Sequence, residues 1–390
     1  MLWLAGQISL PLHRDLDAAR LRSRLRVALD AVPLSALLVG WDPLPGQWEV
    51  CAAEAALRGA ELYLWHPLLS ELAPGKERLY TVGMDGRAGS SRAGSAGEDF
   101  AFVCPNHPDT AGIIAGRLRA ALERFPSQGL FLDKIRYPSP AVGLTASLSC
   151  FCRHCETTAQ AAGLDLAAVR SRLRQVVEGR GGPAALSALG IGPADDHSDG
   201  LLWRWQRFRS RSIARLVGEA SAAARDRGRR VGLDLFAPLL SRVVGQDYRE
   251  LAPLADWVKP MLYCRTAAPA GLPLEMAGLS RDLGPDWQAA LAASLGQPDQ
   301  ASQAPPVDSL SLEVAAEQAR AARRLAGEVP IMAGFEVVDR PGVCRVSPAV
   351  ASQYARLLRS SGASGLVLSW DILDAPPENL SAVARELGLG

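Results

Sequence analysis

Several short apolar runs in this sequence end in a carboxylate. Asp133 follows GLFL, Asp234 follows RVGL and Glu336 follows MAGF, while Asp42 and Asp371 close two further runs. A carboxylate at the end of an apolar strand is costly unless it is hydrogen-bonded or ion-paired. For one residue, a structural ion pair explains this as well as a functional role does. For the whole set, convergence on one pocket is the better interpretation.

Two carboxylates in different environments could cleave a glycosidic bond. One would donate a proton to the leaving oxygen, while the other attacks the anomeric carbon or guides water to it. Asp133 is flanked by Lys134 and Arg136, which favour an ionised nucleophile or charge stabiliser. Glu336 and Asp234, each between apolar neighbours, compete for the role of acid. The candidate catalytic residues are Asp133, Glu336, Asp234 and Asp371.

Aromatic and polar residues near the same strand ends are candidates for substrate binding. Trp41, Trp65 and Trp370 could stack on the apolar faces of sugars, although large aromatics are also typical of a barrel core. Arg136 and Tyr137 are equally the obvious structural partners of Asp133. The candidate binding residues are Asp42, Trp41, Trp65, His66, Arg136, Tyr137, Lys259, Tyr263 and Trp370.

Three cysteines lie within the six residues CFCRHC (150–155). Cys150, Cys152 and Cys155 could present thiolates to Zn²⁺, and a tetrahedral site needs a fourth ligand. Cys104 is the preferred fourth ligand, with His107 and His154 as alternatives. The main hypothesis is a structural zinc ion that clamps the loop, and the alternative is three free thiols packed beneath it. An iron–sulfur cluster is less expected because its usual ligand spacing is absent.

The elements that would position these residues alternate between apolar runs and helical stretches rich in Ala, Leu and Arg. Eight strand–helix units predict a (β/α)₈ TIM barrel, an α/β fold, and the sequence has no early phosphate-binding glycine motif typical of a doubly wound sheet. Residues 79–86 and 99–108 are interpreted as an excursion hairpin and not as a ninth strand. The predicted strands are residues 2–9, 36–42, 61–67, 129–138, 230–238, 257–263, 329–337 and 365–372.

Three predicted connections are unusually long: residues 68–108, 139–201 and 264–306 follow strands three, four and six. In a barrel such loops rise from the catalytic face, so chain length has been added where a substrate would bind. Residues 86–97 and 296–306 are typical of flexible or tethering segments, but neither indicates a domain boundary. We therefore expect residues 1–390 to form a single barrel domain.

Charge and composition exclude some classes of partner. The 390 residues are 48% hydrophobic, with 42 Lys+Arg against 41 Asp+Glu and a net charge of +1. No global field would attract nucleic acid or an anionic membrane. The apolar run at the N-terminus is too short for a secretory or membrane-spanning segment, so a cytoplasmic location is predicted. The oligomeric state is left open.

The fourth strand also carries a family resemblance. LDKIRYP (132–138) followed by CFCRHC (150–155) resembles largely uncharacterised bacterial glycoside-hydrolase-like barrel families, which carry L-D-x-I-R-[YF]-P and C-F-C-x-x-C. The similarity extends through residues 104–110 and 368–371. It implies a (β/α)₈ fold and action on a carbohydrate, with Asp133 matching the family's acidic residue after strand four. Amylase-like barrels typically have Glu at the position of Asp234, so an amylase-type mechanism is not implied.

The leading hypothesis is a glycoside hydrolase or transglycosylase acting on a carbohydrate or glycoconjugate, with no cofactor required for catalysis. One alternative is a barrel that binds a glycan or a protein without turnover. The other is a metal-dependent barrel hydrolase that uses His66, His107 and the acidic strand ends.

Overall fold

Eight parallel strands close into a barrel, in which each strand pairs with the next along the chain and the last pairs with the first. They are β1 (Trp3–Ile8), β2 (Ala36–Val39), β3 (Glu61–Pro67), β4 (Gly129–Asp133), β5 (Arg230–Phe236), β6 (Trp257–Met261), β7 (Met332–Glu336) and β8 (Gly365–Ser369). The predicted (β/α)₈ fold is confirmed. The computed structural model describes residues 2–72, 75–89, 100–178, 182–192, 200–283 and 310–389.

Helices cover the outside of the barrel. In most of them buried residues recur every three or four positions, as Leu166, Val169, Leu173 and Val176 do in one helix, so one apolar face packs inward. The helices are α1 (Ala18–Ala31), α2 (Gln47–Leu57), α3 (Pro108–Arg124), α4 (Leu144–Ser147), α5 (Arg153–Ala161), α6 (Leu166–Glu178), α7 (Gly182–Leu189), α8 (Gly200–Arg225), α9 (Pro238–Ser241), α10 (Tyr248–Leu251), α11 (Leu272–Leu283), α12 (Glu313–Ala326), α13 (Pro348–Ser360) and α14 (Pro377–Leu387). No helix in the described ranges is long and apolar enough to span a membrane.

Large side chains fill the interior of the barrel. The rings of Phe131 and Trp257 stack with centroids 5.2 Å apart. Glycines on adjacent strands make room for these side chains: a Cβ on Gly232 would lie 2.2 Å from the Trp257 ring, and one on Gly334 would lie 2.3 Å from the Lys259 side chain. These two glycines therefore allow an aromatic ring and a lysine to occupy the barrel interior.

The excursion after β3 does not join the barrel. Tyr80 bridges Val103 and Val82 bridges Ala88, both antiparallel, in the segment where the sequence predicts a hairpin. Residues 90–99 lie outside the described part of the chain, as does the predicted tether at 296–306. The interpretation of residues 1–390 as a single domain stays a prediction.

Candidate active site at the carboxyl end of the barrel

A cavity of about 100 Å³ opens at the carboxyl ends of the strands. Residues from the excursion after β3 and from the loops after β4, β6, β7 and β8 complete its wall. Six predicted site residues line it: Trp65, Asp133, Arg136, Asp234, Tyr263 and Trp370.

Asp133 ends β4 and is 9% exposed. Its Oδ2 accepts a hydrogen bond from Trp65 Nε1 at 2.9 Å, and its Oδ1 accepts one from the backbone N–H of Lys134. Lys134 has a positive φ of 52°, so the chain turns sharply directly after the carboxylate. The two N–H donors fix the direction of the Asp133 side chain.

Asp234 is on β5, is 2% exposed and forms an ion pair. Lys259 Nζ donates to both of its carboxylate oxygens at 3.0 Å and to the Tyr263 hydroxyl at 2.7 Å. Burial is the main cause that raises the pKa of Asp234 to about 7: it outweighs the opposing charge of Lys259, and the charge of the neighbouring Asp133 contributes to the same increase. The protonated form of Asp234 is thus well populated near neutral pH.

The strand register sets the two carboxylates side by side. Leu132 of β4 is paired with Leu233 of β5, so Asp133 and Asp234 follow one residue later on neighbouring strands, which lie about 4.8 Å apart. On β5, Asp234 is paired in turn with Lys259 of β6. A row of carboxylate, carboxylate and amine therefore crosses β4, β5 and β6, in which Asp133 and Asp234 line the cavity and the buried Lys259 lies behind them.

Arg136 and Tyr137 have different surroundings. The Arg136 guanidinium lies over the Phe102 ring at 4.3 Å and the Phe236 ring at 4.8 Å, and it lines the cavity. Tyr137 does not line the cavity; it is buried beneath the guanidinium of Arg209, 4.5 Å from its ring. Arg136 can therefore meet a ligand, whereas Tyr137 packs behind the site.

Glu336 and Asp371 do not line the cavity. The Glu336 carboxylate is fully buried beneath the loop after β6, whose Arg265 backbone N–H donates to it at 2.7 Å, and burial raises its pKa. Asp371 lies beyond the end of β8 and accepts hydrogen bonds from the Ser9 backbone N–H at 3.1 Å and from His13 Nε2 at 2.8 Å. Both carboxylates connect strand ends to neighbouring loops.

Asp42 and Trp41 follow the end of β2. The Asp42 side chain is 69% exposed, pairs with Arg14 and lies outside the cavity lining. Trp41 supports the site indirectly, because it packs edge-on against Trp65 with ring centroids 5.1 Å apart.

His66 lies on the outer side of β3. It alternates with the inward-facing Trp65, and burial together with the charge of Arg117 on α3 lowers its pKa well below the usual value. His107 caps α3 by accepting from the Asp109 backbone N–H at 3.2 Å. Within the described ranges, the four-cysteine group is the only cluster of three or more metal-ligating side chains, and it does not line the cavity. The metal-dependent alternative therefore lacks a ligand cluster there.

Sequence reasoning missed several residues that line the cavity. Phe100 and Lys134 form part of the wall, and the Lys134 amine lies 4.6 Å from the Phe100 ring centroid. Lys134 directly follows Asp133, which is a local signal for its position. No such signal exists for Phe100, because its position depends on how the excursion after β3 folds back onto the barrel.

The four candidate metal ligands lie together. The sulfur atoms of Cys104, Cys150, Cys152 and Cys155 are all within 4.8 Å of one another and could hold a metal ion. Cys104 comes from the excursion after β3, and the other three follow β4. The rings of His107 and His154, the alternative ligands, pack on each other with centroids 4.4 Å apart.

The closed parallel barrel is a fold shared with solved structures of glycoside hydrolases. No protein-family model matches the sequence, and no curated protein matches it. Among solved structures, the glycoside hydrolase domain of PgaB (BpsB) from Bordetella bronchiseptica has a TM-score of 0.58 at 17% identity, covering 96% of this chain and 95% of that one.

Two further structures are similar. The spore cortex-lytic enzyme SleL from Bacillus megaterium has a TM-score of 0.51 at 9% identity, covering 99% of this chain and 74% of that one. Alpha-L-fucosidase isoenzyme 2 from Paenibacillus thiaminolyticus has a TM-score of 0.55 at 11% identity; all of this chain is covered but only 49% of the fucosidase. At these identities the likeness shows the fold, and the activity has to be argued from the site.

Proposed function

We propose that this protein is a glycoside hydrolase or transglycosylase that uses Asp133 and Asp234 as its working pair. The observation that carries the proposal is their placement: two carboxylates on neighbouring strands line one cavity together with Trp65 and Trp370. Two carboxylates with distinct environments are what general acid catalysis and charge stabilisation at an anomeric carbon require.

Asp234 is the proposed acid. Its pKa of about 7 keeps a proton available for the leaving oxygen at neutral pH. The Lys259 ammonium, bound to both carboxylate oxygens, would stabilise the carboxylate that remains once the proton has been transferred. The Tyr263 hydroxyl, which accepts from Lys259, holds the amine in this position.

Asp133 is the proposed nucleophile or stabiliser of positive charge on the sugar. Its carboxylate lines the cavity and accepts two N–H hydrogen bonds, which hold it in one orientation. Trp65 fixes Asp133 by hydrogen bonding, and Trp370, whose Nε1 has no hydrogen-bond partner in the described structure, could receive the sugar. A volume of about 100 Å³ is small for a ligand pocket. We therefore propose that the end of a glycan enters it.

A panel of aryl glycosides and reducing oligosaccharides, assayed with the purified protein, tests the activity. We expect turnover of at least one glycoside, and Asp133→Asn should abolish it. Asp226→Asn is the matched control, because Asp226 is exposed and precedes β5 at the opposite end of the barrel. Survival of full activity in Asp133→Asn would show that this residue is not part of the machinery.

The leaving group separates the two roles. An aryl glycoside with an acidic phenol needs little protonation, so Asp234→Asn should retain most of its kcat/KM on it while losing kcat/KM on an unactivated glycoside. Asp133→Gly should be inactive on both. If Asp133 is the nucleophile, azide should restore activity to Asp133→Gly and yield a glycosyl azide. Equal loss on both substrates in Asp234→Asn would contradict the acid assignment.

The ion pair between Asp234 and Lys259 also favours a second candidate function, a barrel that binds a glycan without turnover. In that case the Asp234 carboxylate, which lines the cavity and is held by Lys259, would accept hydrogen bonds from sugar hydroxyls. Calorimetric binding of an oligosaccharide that the protein leaves intact over long incubation would support this function over hydrolysis.

A further inference from the structure

The proposed activity gives no role to the four-cysteine cluster, which connects two excursions beside the barrel. Cys104 precedes α3, Cys150 and Cys152 lie in the loop after β4, and Cys155 is in the first turn of α5. Cys104, Cys150 and Cys155 are buried and Cys152 is partly buried. Thiols from separate segments therefore meet at one point away from the solvent.

The spacing of the sulfur atoms fits a single metal ion. Cys104 Sγ is 3.5 Å from Cys152 Sγ and 3.4 Å from Cys155 Sγ, and all four lie within 4.8 Å. Zn–S bonds of about 2.3 Å place the sulfurs of a regular tetrahedron about 3.8 Å apart. The distances scatter around that value and are well above the bond of about 2.0 Å in a disulfide.

Two N–H groups point at these sulfurs. The Val82 backbone N–H donates to Cys150 Sγ at 3.3 Å, and Asn106 Nδ2 donates to Cys155 Sγ at 3.4 Å. Donors of this kind stabilise thiolate in preference to thiol and orient metal ligands.

A second observation, independent of the sulfur geometry, is the buried cation Arg209 beside the cluster. Arg209 is fully buried, and its guanidinium donates to the carbonyls of Val243 at 3.0 Å and Ser147 at 2.8 Å. No carboxylate of the described residues forms an ion pair with it, although a buried charge is costly without a counter-charge. Burial lowers the pKa of Arg209 to about 10, and negative charge on Tyr137, Cys150 and Cys155 opposes that shift. The cysteine cluster is therefore one of the groups that can supply the counter-charge.

We propose that Cys104, Cys150, Cys152 and Cys155 bind one Zn²⁺ as a structural site, with Arg209 as its buried counter-charge. Four thiolates and one Zn²⁺ carry a net charge of −2, and binding releases the protons that the thiols held. Four protein ligands leave no open coordination position, which is the pattern of structural and not catalytic zinc.

The zinc ion would hold one wall of the cavity in place. The segment that ends at Cys104 also supplies Phe100, which faces Lys134, and Phe102, whose ring lies 4.3 Å from the Arg136 guanidinium. Fixing Cys104 to the loop after β4 therefore fixes the aromatic support of two cationic residues that line the cavity.

Metal content of the wild-type protein tests the proposal directly. Protein purified under reducing conditions without chelators should contain one equivalent of zinc by elemental analysis and show the matching mass by native mass spectrometry. Replacement by Co²⁺ should give the intense visible absorption of tetrahedral cobalt thiolate. Zinc well below one equivalent, iron in its place, or a disulfide among these four cysteines would overturn the proposal.

Serine variants test which cysteines bind the zinc ion. Cys104→Ser and Cys155→Ser should each lose zinc, whereas Cys51→Ser and Cys344→Ser, at buried cysteines outside the cluster, should retain one equivalent. Full zinc in Cys104→Ser would contradict the assignment. If the serine variants do not fold, the wild-type measurements still decide the question.

The role of Arg209 needs a separate readout. Arg209→Met should weaken zinc affinity about tenfold in competition with a chromophoric chelator, as loss of an outer-shell partner does. Arg211→Met is the matched control, since Arg211 lies on the same helix with its side chain 64% exposed. Unchanged affinity in Arg209→Met would show that Arg209 is not the counter-charge.

Discussion

The two sides of the barrel rim share one sequence pattern and differ in structure. On β4 and β5 the carboxylates of Asp133 and Asp234 line the cavity; on β7 and after β8, Glu336 and Asp371 are buried under loops. The loop after β6 covers Glu336 with the backbone N–H of Arg265. An acidic residue at a strand end is therefore a candidate for chemistry only where the following loops leave it uncovered.

The largest expected effect is on catalytic activity, which should depend on the cavity side of the rim and not on the buried side. Asp234→Asn should lower kcat/KM on an unactivated glycoside about 10²–10⁴-fold, the usual contribution of general acid catalysis. Glu336→Gln changes a carboxylate of equal burial outside the cavity, so we expect kcat/KM within a few fold of wild type once the folded fraction is measured. A loss in Glu336→Gln as large as that in Asp234→Asn would remove the distinction between the two sides.

Stability should distinguish the buried Asp371 pair from the exposed Asp42 pair. Asp371→Ala leaves the N–H groups of Ser9 and His13 without their buried partner, and we expect a loss of about 3–5 kcal/mol in the free energy of unfolding. Asp42→Ala breaks an exposed pair with Arg14 and should cost about 0–1 kcal/mol. Urea denaturation of both variants measures the difference, and equal costs would contradict the structural role of Asp371.

The Asp371 pair also predicts a pH dependence. Burial opposes the charged imidazolium of His13, but Asp371 outweighs it and raises the pKa of His13 above 6.5. The stabilising contribution is then fully present below pH 6.5 and is lost as the pH rises through the raised pKa. Asp371→Ala should lack this fall in stability, which denaturation at a series of pH values would show.

Within the active side of the rim, two tryptophans form a matched pair. Trp65→Phe removes the N–H donor to Asp133 and should cost about 1–3 kcal/mol of transition-state stabilisation. Trp370→Phe keeps a ring at the cavity and removes an N–H that has no partner in the described structure, so its effect on kcat should be smaller. A larger loss of kcat in Trp370→Phe than in Trp65→Phe would contradict the role assigned to the hydrogen bond between Trp65 and Asp133.

Much of the fold could be predicted from the sequence, because buried parallel strands are apolar runs separated by helices of clear periodicity. Several strands end earlier than predicted, although β3 has the predicted bounds. β2 ends at Val39 and β8 at Ser369, each three residues before the predicted end. Asp42 and Asp371 consequently lie in loops, where local geometry and not strand alternation directs the side chain.

The site could be predicted only in part. Asp133 and Asp234 line the cavity because strand alternation directs them inward, and that periodicity is visible in the sequence. The cover over Glu336 and the position of Phe100 depend on long connections, whose paths follow from tertiary contacts. His66 illustrates the limit of counting from a strand end, because one step along β3 moves a side chain from the cavity side to the helix side.

Lys259→Met tests the charge balance that makes Asp234 an acid. Because an acid works only while protonated, kcat/KM of the wild type should fall as the pH rises through about 7. Lys259 lowers the pKa of Asp234 against burial, so removing the amine should move this alkaline limb upward by about one pH unit, which corresponds to about 1.4 kcal/mol. Methionine has a similar length and keeps the space beside Gly334 filled. A limb that stays in place, or moves to lower pH, would mean that Asp234 is not the group titrating in the wild-type profile.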